Sequence, residues 1–201
     1  NLAFGALKDA AADGVKEEWY LFKDANRTEK DKHVLPQPFF KSDIFLTDAG
    51  NAEWQNYLIN QHNQVYQALD FDGYHVDALG DRGRLYNFKG GQVNQAEDFS
   101  SFLTAMKNAA PAKKLVMNAV NQYGQRESIA AAPVDFLYTE VWHPNESFAD
   151  LATILGNNYF LSDGKPTVLA AYMNYDLSDN PGYFNTPGVL LADAVIFALG
   201  G

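Results

Sequence analysis

Short apolar runs alternate along this chain with stretches of helical period, and that alternation limits the fold more than any other feature. The runs lie at residues 2–6, 43–47 (DIFLT), 73–77 (GYHVD), 115–118 (LVMN), 136–140 (FLYTE) and 167–172 (TVLAAY). Between them, residues 51–69 carry Trp54, Leu58, His62, Val65 and Leu69 at steps of three and four, an amphipathic helix by period. Further helices are expected at 96–109, 125–132, 147–155 and 187–199. Strands that are nearly continuous apolar runs, each followed by a helix, imply a parallel sheet covered on both faces. A doubly wound open sheet and a (β/α)8 barrel both meet that description. The open sheet usually carries a Gly-rich turn after its first strand, and no G-x-G-x-x-G occurs here; Gly90-Gly91 falls in mid-loop. The expected fold class is therefore α/β, a (β/α)8 TIM barrel.

A complete barrel takes about 250 residues, and this chain has 201. The barrel is expected to be incomplete, with about strands two to seven present. Residues 18–40, which include the aromatic run EWYLFK at 18–23, read as an inserted hairpin. The chain opens at Asn1-Leu2-Ala3 and closes at Leu199-Gly200-Gly201. We expect one catalytic domain over 1–201, an excerpt of a longer protein.

Composition removes several function classes. Hydrophobic residues make up 47%, enough for a folded core, so disorder is excluded. Lys and Arg number 15 against 25 Asp and Glu, a formal charge of −10. Nucleic-acid binding needs the opposite sign, because phosphate contacts come chiefly from Lys and Arg. There is no cysteine, hence no disulfide framework, thiol nucleophile or Cys-ligated metal. No run reaches the roughly 18 apolar residues of a membrane span.

In a barrel enzyme the working side chains stand where strands end. The third strand ends near Asp48, the fourth at Asp77 and the fifth at Asn118. The sixth ends at Glu140 with Trp142 just beyond, and the seventh at Tyr172 with Asn174 just beyond. Carboxylates, amides and flat rings gathered at one mouth suit a sugar, with its hydroxyls and apolar ring faces. Side chains alternate along a strand, so Gly73, His75 and Asp77 share one face while Tyr74 and Val76 face the other way. If Val76 packs on a helix, His75 and Asp77 point into the mouth.

Two carboxyl groups across a sugar site are what glycoside cleavage requires. One attacks the anomeric carbon and the other protonates the departing oxygen, then activates water. The acid belongs in the drier setting, and Glu140, beside Val141 and Trp142, suits it. Retaining enzymes hold the two about 5 to 5.5 Å apart and inverting ones roughly 6.5 to 9.5 Å. Sequence does not give that distance.

The segments DFDGYHVDALG at 70–80 and YTEVW at 138–142, with FLTDAGNAEWQNYL at 45–58, resemble glycoside hydrolase family 66. That family holds endo-dextranases and cycloisomaltooligosaccharide glucanotransferases. The resemblance covers most of the chain and rests mainly on the two strand motifs together. It implies Asp77 as nucleophile in the G-[WY]-H-x-D strand and Glu140 as acid/base in the Y-x-E-x-W strand. It also implies a retaining mechanism on α-1,6-glucan such as dextran or isomaltooligosaccharides, with no cofactor. Asp48, His75, Asn118, Trp142, Tyr172 and Asn174 would hold the glucose unit. An extracellular or cell-surface location, flanking barrel strands and accessory β domains of the parent chain follow from the same resemblance.

Plainer roles compete for some of these residues. Asp72, before Gly73, reads as a turn residue. Trp54 and His62, on the helix at 51–69, read as core or boundary, and Trp142 as a sugar platform. A metal-dependent hydrolase using His75, Asp77 and Glu140 is one alternative. The four histidines (33, 62, 75 and 143) form no H-x-H or H-E-x-x-H pattern. A non-catalytic glucan-binding module is another, and intramolecular transglycosylation yielding cyclic isomaltooligosaccharides is the nearest.

Overall fold

The computed structural model describes residues 2–3, 7–177 and 183–201. Its strands are β1 (Leu2–Ala3), β2 (Lys32–His33), β3 (Ile44–Leu46), β4 (Gly73–Val76), β5 (Leu85–Tyr86), β6 (Gln92–Val93), β7 (Lys114–Met117), β8 (Leu137–Val141) and β9 (Thr167–Ala171). The α-helices are α1 (Leu7–Ala12), α2 (Ala52–Ala68), α3 (Gln95–Ala109), α4 (Phe148–Leu161) and α5 (Thr186–Ala198).

Four parallel strands form an arc in the order β4-β7-β8-β9. Gly73 to Val76 lie opposite Lys114 to Met117, and Leu137 to Val141 opposite Thr167 to Ala171. The halves join through the parallel bridge of Asn118 to Tyr138 and the bond from Asp135 N to Leu115 O, 2.8 Å. Gly73 is required where the arc begins: a Cβ there would lie 2.2 Å from the Lys114 carbonyl oxygen. Any other residue would force β7 away.

The helix-facing side of the arc is the core. Val76, Leu115, Met117 and Leu137 pack with Phe99, Phe102, Leu103 and Met106 of α3 and with Ile129. Each large side chain so buried contributes roughly 1.5–3 kcal/mol. Val141 and Leu169 pack with Leu151 and Ile154 of α4 and Ile196 of α5. Helix starts follow local chemistry. Asn51 caps α2 by accepting from Glu53 N and Trp54 N, and Ser147 and Asp150 make a reciprocal capping box on α4. Trp54 is buried, and His62 is half-buried with its ring 3.9 Å from that of Tyr74.

The amino-terminal part departs from the parallel expectation. β3 pairs antiparallel with both β1 and β2. The chain doubles back through the excursion at 18–40 to lay Lys32 against Phe45. Residues 4–6 of the first apolar run lie outside the described residues. The run at 18–23 is a 3-10 turn (Glu17–Trp19) followed by single bridges, Tyr20 to Thr47 and Phe22 to Lys30. The second bridge closes the expected hairpin, whose bend is held by Asp24 accepting from the backbone N–H groups of Asn26, Thr28 and Glu29. The expected helix at 125–132 is one π turn (Gln125–Ile129) launched from left-handed Gly124. β5 and β6 form a hairpin around Gly90-Gly91, a stretch expected to be loop.

Asp135 fixes the amino ends of β7 and β8. It accepts from Leu115 N and Lys107 Nζ, both 2.8 Å, and from Lys114 Nζ at 3.1 Å. Partial burial opposes its charge, but these bonds outweigh it and hold the carboxyl at about 2. The unfolded value is about 3.9, so the bonds stabilise the fold above that pH, by about 2 kcal/mol, and the contribution fades as pH falls toward 2. Asp135→Asn is expected to lower the denaturant midpoint at pH 7, with the gap to the parent closing between about pH 4 and pH 2.

Candidate active site

Strand alternation places Gly73, His75 and Asp77 on the open side of the arc while Val76 is fully buried behind it. On β8, Leu137, Thr139 and Val141 are buried toward the helices, so Tyr138 and Glu140 share the open face. Asn118 follows β7 directly, in the strand between those of Asp77 and Glu140, and the three meet.

The contact is specific. Asn118 Nδ2 donates to Asp77 Oδ1 at 3.0 Å and to Glu140 Oε2 at 3.2 Å. Asn118 Oδ1 accepts the backbone N–H of Glu140 at 3.2 Å. A backbone N–H can only donate, so the atom facing it must be the amide oxygen; the NH2 therefore faces the carboxylates. The two donor distances cap the separation of the bridged oxygens at about 6.2 Å, and ~120° between the amide N–H directions brings it to ~5.4 Å.

Asp77 Oδ1 also accepts Ala78 N at 2.9 Å. Both bonds fall on the same oxygen, and Oδ2 takes no hydrogen bond among the described residues. Asp77 is exposed and Glu140 partly buried, so Glu140 occupies the drier position expected of an acid. Beneath them His75 and Tyr138 meet at 4.7 Å between ring centroids. Burial first, then the charges of Glu140 and Asp77, raise the Tyr138 phenol. Tyr138 was missed from sequence, although its place two residues before Glu140 puts it on the same strand face.

Trp142 extends the site outward. Its backbone N–H donates to Asn121 Oδ1 at 2.8 Å, and Asn121 Nδ2 donates to His143 O at 3.0 Å. The Trp142 ring stacks on Tyr172 at 4.2 Å and 10°, with Tyr175 edge-on at 5.8 Å. Two of the expected sugar contacts thus cover one face of each other, and Phe184 lies 6.2 Å from the Tyr172 ring. Asn174 lies at the end of this wall. Its backbone N–H donates to Glu146 Oε2 and its side chain to Glu146 O, so it ties two loops together.

Asp48 makes no hydrogen bond to Asp77, Asn118 or Glu140 among the described residues. It is nearly buried, accepts Gly50 N at 2.9 Å, and opens on a cleft of about 520 Å³ with Lys16, Glu53, Asn87 and Phe88. Burial, and secondarily Asp98, raises its carboxyl. Its neighbours follow from the antiparallel setting of β3, since Asp48 N donates to Trp19 O at 2.8 Å.

The loop after Asp77 has its own anchor. Arg82 donates through Nε and Nη2 to the two oxygens of buried Asp31, at 2.9 and 2.8 Å, and to Lys32 O at 2.9 Å. Leu79 and Leu85, on either side, pack with Leu21 and Leu46. The inserted hairpin therefore clamps the segment that leaves Asp77.

A profile of the family described as Glycosyl hydrolase family 66 matches residues 1–201. A cycloisomaltooligosaccharide glucanotransferase of Niallia circulans is 30% identical over 185 residues, 87% of this chain and 19% of that protein. A dextranase of Streptococcus salivarius is 28% identical over 103 residues, 47% of this chain and 12% of its own. A crystal structure of a Paenibacillus sp. cycloisomaltooligosaccharide glucanotransferase complexed with cycloisomaltoheptaose superposes with a TM-score of 0.75 at 29% identity, covering 84% of this chain and 25% of that one. The chain thus spans about a fifth of the length of the glucanotransferase.

Breaking the hairpin clamp leaves a buried carboxylate unpaired, which costs about 3 kcal/mol or more. Arg82→Met is expected to lower the thermal midpoint by several degrees. Arg82→Lys should recover only part of it, because an ammonium cannot bridge both oxygens. Calorimetric melting of the three proteins measures both effects.

Proposed function

The chain belongs to glycoside hydrolase family 66, and from that premise we propose that it cleaves α-1,6-linked glucan with retention, through a glucosyl ester on Asp77. One observation carries the mechanism: a single amide nitrogen bridges Asp77 Oδ1 and Glu140 Oε2, so these two oxygens lie at most about 6.2 Å apart, which supports a retaining pair over the roughly 6.5 to 9.5 Å of an inverting one.

Asp77 Oδ2, the oxygen left unbonded, attacks C1 of the glucose unit from the face opposite the leaving chain. The C1–O6 bond breaks, and Glu140 gives its proton to the departing O6. Glu140, now a carboxylate, removes a proton from the incoming hydroxyl as that oxygen bonds to C1 and the ester to Asp77 breaks. Both displacements invert C1, so the product is again α. His75 and Tyr138 form the floor beneath the reacting sugar, and Trp142 with Tyr172 the wall against its apolar face. In this reading the arc β4-β7-β8-β9 is part of a (β/α)8 barrel whose carboxyl ends carry the site. Dextran is too large to enter a cell intact, which supports an extracellular or cell-surface location.

A metal-dependent alternative fits the geometry poorly. An N–H donor stands between the two carboxylates, where a shared cation would need lone pairs. A second reading has its own support: the glucanotransferase match extends over 87% of this chain and the dextranase match over 47%. In that reading the incoming hydroxyl is the 6-OH of the same glucan, and the product is cyclic.

Early products of the full-length protein acting on dextran are expected to be α-anomers by ¹H NMR; β-anomers appearing first would contradict the retaining reading. Asp77→Asn and Glu140→Gln are each expected to reduce turnover by roughly 10³-fold or more. Chromatography of the end products separates linear from cyclic oligosaccharides and so distinguishes water from the 6-OH as acceptor.

A further inference from the structure

Asn118 is expected to bind sugar, but both of its donor hydrogens are already committed. Both amide hydrogens point to carboxylates and its oxygen holds the Glu140 backbone. The residue is 2% exposed. A primary amide has two donors, so none remains for a hydroxyl of the substrate.

We infer that Asn118 is a positioning residue: it sets the distance between the two carboxylates and selects Oδ2 of Asp77 as the attacking oxygen. The inference rests on the roles proposed for Asp77 and Glu140. Its own ground is the sharing of one nitrogen by two acids on strands that are not neighbours. β7 stands between β4 and β8, and Asn118, just past its end, reaches both acids. Asn118 and Ala78 N together occupy Oδ1, so the carboxylate cannot turn that oxygen toward the sugar without losing both bonds. The amide oxygen meanwhile fixes the backbone of Glu140, so one planar group orients both acids. Aspartate at 118 would keep the acceptor and lose both donors. Glutamine would carry the amide a methylene too far, about 1.5 Å.

Asn118 thus acts in the reaction step and not in binding. A displacement of the reacting groups by about 1 Å is enough to cost about 100-fold in rate. In the full-length protein, Asn118→Ala is expected to bind isomaltotriose by calorimetry with near-parental Kd and one site per chain. Its kcat on dextran should fall by about 100-fold or more, with KM changed by less than about 3-fold. The stoichiometry separates a positioning defect from loss of folded protein. If the alanine variant does not bind stoichiometrically, the near-isosteric Asn118→Asp is measured in the same way and decides. Parental kcat, or a loss confined to Kd and KM, would overturn the inference and return Asn118 to sugar binding. Parallel Asp77→Asn and Glu140→Gln measurements keep two failures apart. Their retaining activity would remove the catalytic pair itself, whereas their inactivity beside an active Asn118→Ala would remove only the positioning role.

Discussion

The parallel register of β4, β7 and β8 decides what this chain can do. Three strands running the same way bring their carboxyl ends to one edge, and period-two alternation sends Asp77 and Glu140 to one face. Acids more than sixty residues apart then need only a short bridge, which the first residue beyond β7 supplies. Shift β7 by one residue and Asn118 would turn to the helices while Met117, fully buried against α3, would face the open side. The register is therefore held by the same packing that makes the core. Gly73, which lets β7 approach, and Asp135, which ties the strands' amino ends, serve the site from its far side.

The carboxyl edge is built from two kinds of support. Behind the strands the helices hold it through apolar contact. Beside it the inserted hairpin reaches across with Asp31 and grips Arg82, so the segment leaving Asp77 is held by a charge pair at its far end and by Ala78 N at its near end. On the other side Asn121 and Glu146 lock the segments carrying Trp142 and Tyr172 into one wall. Under the proposed chemistry, such a site needs little reorganisation when charge develops at the sugar.

What could be read in advance depended on whether the signal was local. Short, nearly continuous apolar runs announced β4, β7, β8 and β9, and the polar residues closing them announced Asp77, Asn118 and Glu140. The helix of 51–69 was legible from its 3.6-residue period, and Trp54 and His62 fell where an apolar face predicts. Pairing is not local. Nothing in DIFLT distinguishes a strand that will lie antiparallel to Lys32–His33 from one that joins the arc, and the cleft that Asp48 lines with Lys16, Glu53 and Phe88 follows from that pairing. The Asp31–Arg82 clamp joins residues 51 apart in sequence and leaves no periodic trace. Strands of two residues, β5 and β6, are shorter than any pattern. For Asn118 the position was legible and the role was not, because only coordinates show that its hydrogens are already in use.

Everything in the proposed chemistry follows from two carboxylates held across one hollow. The most direct measurement is a crystal structure of the full-length Asp77→Asn protein soaked with isomaltotriose. The account expects C1 of one glucose about 3–3.5 Å from the Oδ2 position at residue 77, the next glycosidic oxygen within hydrogen-bond reach of Glu140, and the two acid side chains about 5–6 Å apart. A sugar bound elsewhere, or the two side chains roughly 9 Å or more apart around an ordered water, would contradict it.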